Sequence, residues 1–390
     1  MNFVRLAFAV VAFAVSLLAV IAAPTYSAWE LSIAATELGW IIAAASLIVF
    51  FPGWRQTRAG KIAGALAACA IVLALSPLAY ASGVARTLPT SLRSAFGDAQ
   101  PKSTAKAPPR HAPIELRDLF AGVRRNATRI DSMTYAVRGG KRLDLDLYRP
   151  LDSSQKSLPI VVMIHGGSWR GGTRHDLDAL NSYLAARGYA VAAISYRLAP
   201  QFPHPAASDD VAEAIHYLKS NGSRLDLDST RLVLIGRSAG AQLALLAAYT
   251  LNDQSIRGAV GFYTPSDQVF GYEHPSNPRV INSTEILEQF LAGNPRTAPD
   301  AYRTASPVNF VGSSTPPTLL IHGAKDELVS VHQSERLDSR LAAAHRPHFF
   351  LRMPWATHGC DYFFRGPCAQ MSTYAIERFL AAILQLRTAD

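Results

Sequence analysis

The sequence predicts a doubly wound, mostly parallel α/β sheet with a small cap, preceded by an all-α transmembrane region. Three observations carry this. Short β-branched runs alternate with helical spacings over the C-terminal two-thirds of the chain, which is the signature of repeated βα units. Three apolar stretches of about twenty residues open the chain, near the length that crosses a hydrocarbon layer. Between the two regions lies a stretch rich in Ala, Ser, Pro and Lys, which reads as a linker. The expected organisation is a membrane anchor over residues 1–82, a flexible linker over 83–113 and an α/β domain over 114–390.

The apolar stretches are Phe3 to Ala23, Leu31 to Phe51 with Glu37 near its start, and Ile62 to Ala81. A cleaved signal peptide would also place Arg5 before an apolar core and Ala-Ala after it. That core is longer than the usual ~7–15 residues and two more follow, so a three-span anchor is the expectation. Arg55, Arg58 and Lys61 crowd the loop between spans two and three, whereas Pro24 to Glu30 has no Lys or Arg. With Arg5 at the start, this favours an internal N-terminus and an extracytoplasmic catalytic domain. Arg86, Arg93 and Lys102, just past span three, argue the other way. The net charge of +9 is scattered, with no Lys/Arg block and no nucleic-acid motif, so it points to a membrane surface rather than to nucleic acid. Cys69 falls inside the third span; Cys360 and Cys368 pair only in an oxidising compartment. No Cys/His spacing resembles a zinc site, although His345 and His348 are near neighbours.

After a short amphipathic helix, Ile114 to Arg125, the α/β pattern begins. Leu143 to Tyr148 alternates strictly, as an outer strand with one buried face does. Pro159 to Ile164 is a continuous apolar run, expected of a strand covered on both faces. Ala190 to Ser195, Arg231 to Ile235, Gly258 to Phe262, Thr318 to Ile321 and His348 to Met353 read as further strands. Helices fall at Leu177 to Arg187, Ser208 to Asn221, Ala239 to Tyr249 and Ser372 to Leu386. Thr264 to Pro307 has no clear strand and one short helix, Thr284 to Ala292, which suits a cap over the carboxyl ends of the strands.

The chemistry gathers at those carboxyl ends. LIGRSAGA (234–241) sets Ser238 between a buried strand and a helix, with Gly236 and Gly240 two residues to either side. Such a turn lifts a serine Oγ over the sheet edge, beside free helix N–H groups. A serine needs a base, and His358 in WATHGCDYF follows a strand. The imidazole needs a carboxylate, and Asp326 in IHGAKDELV fits better than its neighbour Glu327, with His322 shaping the turn. The strand Pro159 to Ile164 runs into HGGSW, so the N–H groups of Gly166 and Gly167, with Ser168 as a further candidate, would join that of Ala239 around a developing oxyanion. Trp169 and Phe262 are candidates for lining an acyl or aromatic pocket, or simply core.

HGGSW, SYRLAP followed by FPHPAASDD, GRSAG, and HGAKDELV followed by THG together resemble the α/β-hydrolase superfamily over about Ser132 to Leu386. The similarity is to the esterase/lipase branch with an HGG oxyanion motif, hormone-sensitive-lipase-like or feruloyl-esterase-like. The resemblance implies an α/β-hydrolase fold, Ser238 as nucleophile, Asp326 as acid and His358 as base, with no metal and no organic cofactor. It implies structural support from Tyr196, Arg197 and Asp210. Arg237 departs from members that have an acidic residue before the nucleophile, and Ser168 departs from a third glycine. The expected reaction is hydrolysis of a small-molecule or lipid carboxylic ester by a membrane-anchored serine hydrolase. Amide cleavage or acyl transfer by the same residues, and a non-catalytic binding module, are the alternatives.

Overall fold

The computed structural model describes residues 2–99, 101, 107–123, 127–151 and 156–384. Lys102, Arg125 and Leu386, at the edges of sequence-based expectations, lie outside the described residues. Four helices open the chain: α1 (Asn2–Leu17), α2 (Tyr26–Glu37), α3 (Gly39–Ser46) and α4 (Arg58–Phe96); α5 (Leu116–Ala121) follows. The strands are β1 (Thr128–Arg138), β2 (Lys141–Pro150), β3 (Leu158–Ile164), β4 (Ala190–Ile194), β5 (Leu227–Arg237), β6 (Ile256–Phe262), β7 (Thr318–Gly323) and β8 (His348–Met353). They form one sheet in the order β1-β2-β4-β3-β5-β6-β7-β8. β2 runs antiparallel to both neighbours, and every other pairing is parallel.

Alternation along the central strands feeds two cores. Ile160, Val162 and Ile164 of β3 face one, and Val161 and Met163 face the other. The first is closed by α7 (Ala206–Ser220) and α8 (Ala239–Thr250), whereas α6 (Ala179–Ala185) packs on the other face. The second is closed by α6 and, after α9 (Gln268–Glu273), α10 (Ser283–Leu291), α11 (Pro299–Thr304) and α12 (His332–Ala343), by α13 (Pro367–Leu384). Each fully buried Leu, Ile or Val contributes about 1.5–3 kcal/mol, so continuous apolar strands stabilise the middle of the sheet most. Leu143 to Tyr148 is not an outer strand. It lies in β2, inside the edge strand β1, whose mixed polar sequence gave no alternation to read. Helices α9, α10 and α11 make the cap that the stretch before β7 was expected to supply.

The N-terminal region differs most from expectation. Of the described helices, only α4 is by itself long and apolar enough to cross a membrane. α1 has 16 residues, about 24 Å at ~1.5 Å per residue. The second apolar stretch is broken, with α2 and the segment from Gly39 to Phe50 bent by 79°. α4 does not end at Ala81 but continues to Phe96, and Leu88 and Leu92 pack into the hydrophobic core against α13. Residues 83–96 are therefore rigid helix rather than flexible linker; Arg86 and Arg93 belong to it. Farther on, Ala107 and Arg110 are buried. The expected helix Ile114 to Arg125 is reduced to the six residues of α5.

α2 docks on the sheet domain, where its Glu37 carboxyl, pushed up to about 8 by burial, finds its partners. Glu37 accepts from Trp355 Nε1 at 3.2 Å and from the Cys368 N–H at 2.9 Å. Replacing Glu37 by Leu strands two buried donors, each worth about 1–3 kcal/mol when left unpaired. Thermal melting of the full chain in detergent should show Glu37→Leu several degrees below wild type and Glu37→Gln between the two. A Leu variant as stable as wild type would mean that α2 docks for other reasons.

Candidate active site

The strand β5 runs straight into α8 with a single residue between them. That residue, Ser238, sits at φ 52° and ψ −121°, a region that costs an ordinary side chain about 1–3 kcal/mol and persists only where its surroundings over-determine it. The surroundings are tight. A Cβ on Gly236 would lie 2.1 Å from the carbonyl oxygen of Gly240, and one on Gly240 would lie 2.2 Å from that of His165. Both positions therefore admit only glycine, and the Ser238 N–H is anchored to the Phe262 carbonyl at 3.0 Å. The strained turn presents Oγ to the loops beyond β7 and β8.

The loop after β8 carries His358, whose Nε2 lies 3.1 Å from Ser238 Oγ. Its Nδ1 lies 2.7 Å from Asp326 Oδ2. A carboxylate accepts there, so Nδ1 carries the proton and the Nε2 lone pair faces the serine hydroxyl. Asp326 itself is fully buried and accepts from the N–H groups of Leu328 and Val329 at 2.9 and 2.8 Å. His322 Nε2 approaches the same Oδ2 at 3.1 Å and the Val329 carbonyl at 3.0 Å, so it too must donate. Burial would raise the Asp326 carboxyl, but the charge of His358 and the hydrogen bonds from His322 and His358 outweigh it and hold it well below the usual carboxylate range. Glu327, the rival carboxylate, points elsewhere. It bonds Thr357 Oγ1 and the Ala23 N–H, joining the Asp326 loop to the His358 loop and to the α1–α2 connection.

The His358 loop is held from every side. Cys360 and Cys368 form a disulfide, with Cα atoms 5.7 Å apart. Arg237, the residue before the serine, makes a buried ion pair with Asp361 through Nε at 2.5 Å, and Tyr263 donates to the other carboxylate oxygen at 2.7 Å. Burial, and then the neighbouring Asp361 carboxylate, push the Tyr263 phenol well above its ordinary range, so it remains a donor, and its ring lies 4.3 Å from the imidazole of His358. Arg237 is thus a brace under the loop, and it also borders the cleft beside Ser238. Sequence reading missed this pair because its partners are 124 positions apart.

The turn after β3 brings the remaining candidates together. Gly166 lies directly against the nucleophile: a Cβ on it would sit 3.4 Å from Ser238 Cβ. Gly167 adopts φ +112°, and Ser168 and Trp169 follow at φ 56° and 57°, so this turn is a run of left-handed backbone beside Ser238. Tyr196 stacks on His165 at 4.3 Å and donates to its carbonyl at 3.0 Å, and Arg197 pairs with Asp210 through both nitrogens, which fixes the base of the turn. Trp169 is stacked on Phe290 of the cap at 4.2 Å, is bonded to Gln242 at 2.9 Å, and walls a narrow cavity of about 70 Å³ reaching Ser238. Phe262 does not line a pocket; it is buried in the core beneath the Arg237 guanidinium. A second, broader cavity of about 800 Å³ also reaches Ser238 and His358 and shares part of its lining with the first.

Comparison with known proteins agrees with this fold. A family model described as BD-FAE matches residues 145–341, half of the chain. Esterase LipC of Mycobacterium tuberculosis is 32% identical over 256 residues, covering 62% of this chain and 63% of LipC. The probable carboxylic ester hydrolase LipM of the same organism is 28% identical over 363 residues, covering 89% of this chain and 78% of LipM. The chain thus spans under two thirds of LipC's length, while the match to LipM extends past the sheet domain into the N-terminal helices. Among solved structures, a bacterial heroin esterase superposes with a TM-score of 0.58 at 22% identity, covering 69% of this chain and 87% of that one. An esterase of Thermogutta terrifontis gives 0.55 at 20%, covering 67% and 94%. With that fold, and with a family model spanning the glycine turn, the Ser238 turn and the loop after β7, the chain belongs to the BD-FAE family and has the α/β-hydrolase fold.

Proposed function

We propose that the chain is a carboxylic ester hydrolase working through an acyl-enzyme on Ser238. The observation that carries the reading is the unbroken line of contacts from Ser238 Oγ through the imidazole of His358 to Asp326. Oγ attacks the acyl carbon as its proton passes to His358 Nε2. Asp326 holds the imidazole in that tautomer and stabilises the imidazolium. The N–H groups of Gly166, Gly167 and Ala239 receive the oxyanion, each such donor being worth about 10²–10³ in rate. The imidazolium then protonates the departing alcohol, and water repeats the sequence to free the acid. Trp169 lines the substrate pocket.

We further propose that the enzyme is membrane-bound, with α1, α3 and the first half of α4 in the bilayer and the catalytic domain on the extracytoplasmic side. Ala9 of α1 and Ala63 and Ala67 of α4 are wholly buried against one another, the close packing that small residues permit between membrane helices. Phe3, Ile48, Phe51 and Val72 are left more than half exposed on the outside. The Cys360–Cys368 disulfide suits an oxidising compartment.

Ser238→Ala should abolish turnover of a short p-nitrophenyl ester, and a fluorophosphonate should label wild type but not the variant; well-folded wild type that does neither would end the esterase reading. Asp326→Asn should lower kcat by about 10⁴ through the wrong tautomer. Its effect on stability has a sign as well. The folded pKa of Asp326 is depressed, so its contribution is full above the unfolded carboxyl value of 3.8 and is lost as pH falls toward the folded one. The melting gap between wild type and Asp326→Asn should accordingly be wide at pH 7 and narrower at pH 3. Alkaline phosphatase fused after Gly97 should be active in bacterial cells, and the chain should stay with membranes after carbonate extraction. An inactive fusion would reverse the orientation.

A further inference from the structure

The broad cavity beside Ser238 has a wall that the α/β domain does not supply. Tyr26, Trp29 and Ile33, all on α2, face Ser238 and His358 across it. This wall is built in rather than resting by chance. Trp29 Nε1 donates to the carbonyl oxygen of His358 at 3.2 Å, and its ring lies 5.0 Å from that of Tyr26 and 6.5 Å from the imidazole. Ile33 packs against Gly359. The start of the helix is tied by Ala23 N–H to Glu327 at 3.0 Å and by Tyr26 N–H to the Arg279 carbonyl at 3.1 Å. Its end is tied by Glu37 to Trp355 and Cys368.

The two cavities differ in capacity. A cavity of about 150 Å³ takes up benzene. The narrow one, about 70 Å³, accommodates an acyl chain of roughly two to four carbons by the same scale. The broad one is about 800 Å³. Which half of an ester goes where follows from the order of events. The alcohol leaves first, and water must then reach the acyl carbon beside His358 Nε2 along the path the alcohol vacated. The broad cavity has room for that exchange, and the narrow one retains the acyl group meanwhile.

We propose that α2 is part of the active site and that Trp29 is its specificity-determining residue: the substrates are esters of a short acyl group with a bulky apolar alcohol, which lies on Tyr26, Trp29 and Ile33. The proposal rests on the esterase reading above. In the hydrolysis the ester C–O bond breaks, the alcohol oxygen takes the proton from His358 Nε2, and the freed alcohol departs along α2.

The test uses the full chain in detergent micelles and three esters with alkyl leaving groups: ethyl acetate, 2-(1-naphthyl)ethyl acetate and ethyl decanoate. Wild type should favour the naphthylethyl ester over ethyl acetate in kcat/KM and should turn over ethyl decanoate worst. Trp29→Ala should reduce the preference for naphthylethyl over ethyl acetate by about tenfold or more, the scale of a lost pocket contact. Because that variant also removes the bond to the His358 carbonyl, Trp29→Phe separates the two roles: it keeps a ring but no donor, and should retain most of the preference even if both rates fall. Ile33→Ala, which touches no hydrogen bond, should lower the preference in the same direction by less. An unchanged preference in Trp29→Ala and Ile33→Ala, with ester turnover intact, would overturn the role of α2. A wild type that prefers ethyl decanoate would overturn the assignment of the acyl side. Absence of turnover on every ester, together with failure of Ser238 to label, would overturn the esterase reading and this proposal with it.

Discussion

A buried carboxylate must be kept charged at the carboxyl edge of the sheet, and much of the surrounding structure follows from that. The Asp326 side chain is wholly buried, and its charge is maintained by two backbone N–H groups, by His322 and by His358. His322 can donate only because its other ring nitrogen faces Ser334 Oγ at 2.7 Å on α12. α12, which shares a core with α8, thereby helps to set the hydrogen-bonding state of the site. The desolvation that makes Asp326 costly to charge is what makes its hold on the imidazole strong.

A second ionic contact acts on the same loop from below. Arg237 and Asp361 are both almost wholly buried, and removing one partner would leave the other as an uncompensated charge, usually a loss of about 3–5 kcal/mol. The pair connects the strand that ends at Ser238 to the loop that carries His358. The two groups that must stay about 3 Å apart are thus coupled through bonded elements as well as through each other. Tyr263 completes the connection by donating to Asp361 while its ring lies against the imidazole.

The parts of this protein readable in its sequence are those determined by near neighbours. The run Arg231 to Ile235 declares a buried strand, the spacing of Gly236, Ser238 and Gly240 declares a turn too tight for side chains, and Asp326 and His358 each follow a strand by a few residues. Every one of those expectations concerns a segment shorter than twenty residues. What stayed hidden depends on distant partners. Glu37 looks like a stray charge in an apolar run until Trp355 and Cys368, more than 300 positions away, are seen to bond it. Arg237 looks like an odd substitution until Asp361 is seen beneath it. β1 was missed because an edge strand needs no apolar face on its outer side. The stretch after Ala81 read as a linker because Ser, Ala and Pro suit one, but its leucines at 88 and 92 are spaced to face a core.

That last feature bears on how the enzyme meets its surroundings. A flexible tether would let the catalytic domain tumble and sample whatever lay within reach. α4 is instead one 39-residue helix, about 58 Å at ~1.5 Å per residue, roughly twice the thickness of a ~30 Å hydrocarbon layer. Its second half is welded to the core beside α13. In a bilayer such a strut fixes both the height and the tilt of the domain, so the mouth of the site faces one direction at one distance from the lipid surface. If, as proposed, α4 crosses a bilayer, the domain would sample that membrane and the thin layer above it, with adjacent membranes and the bulk phase largely beyond its range.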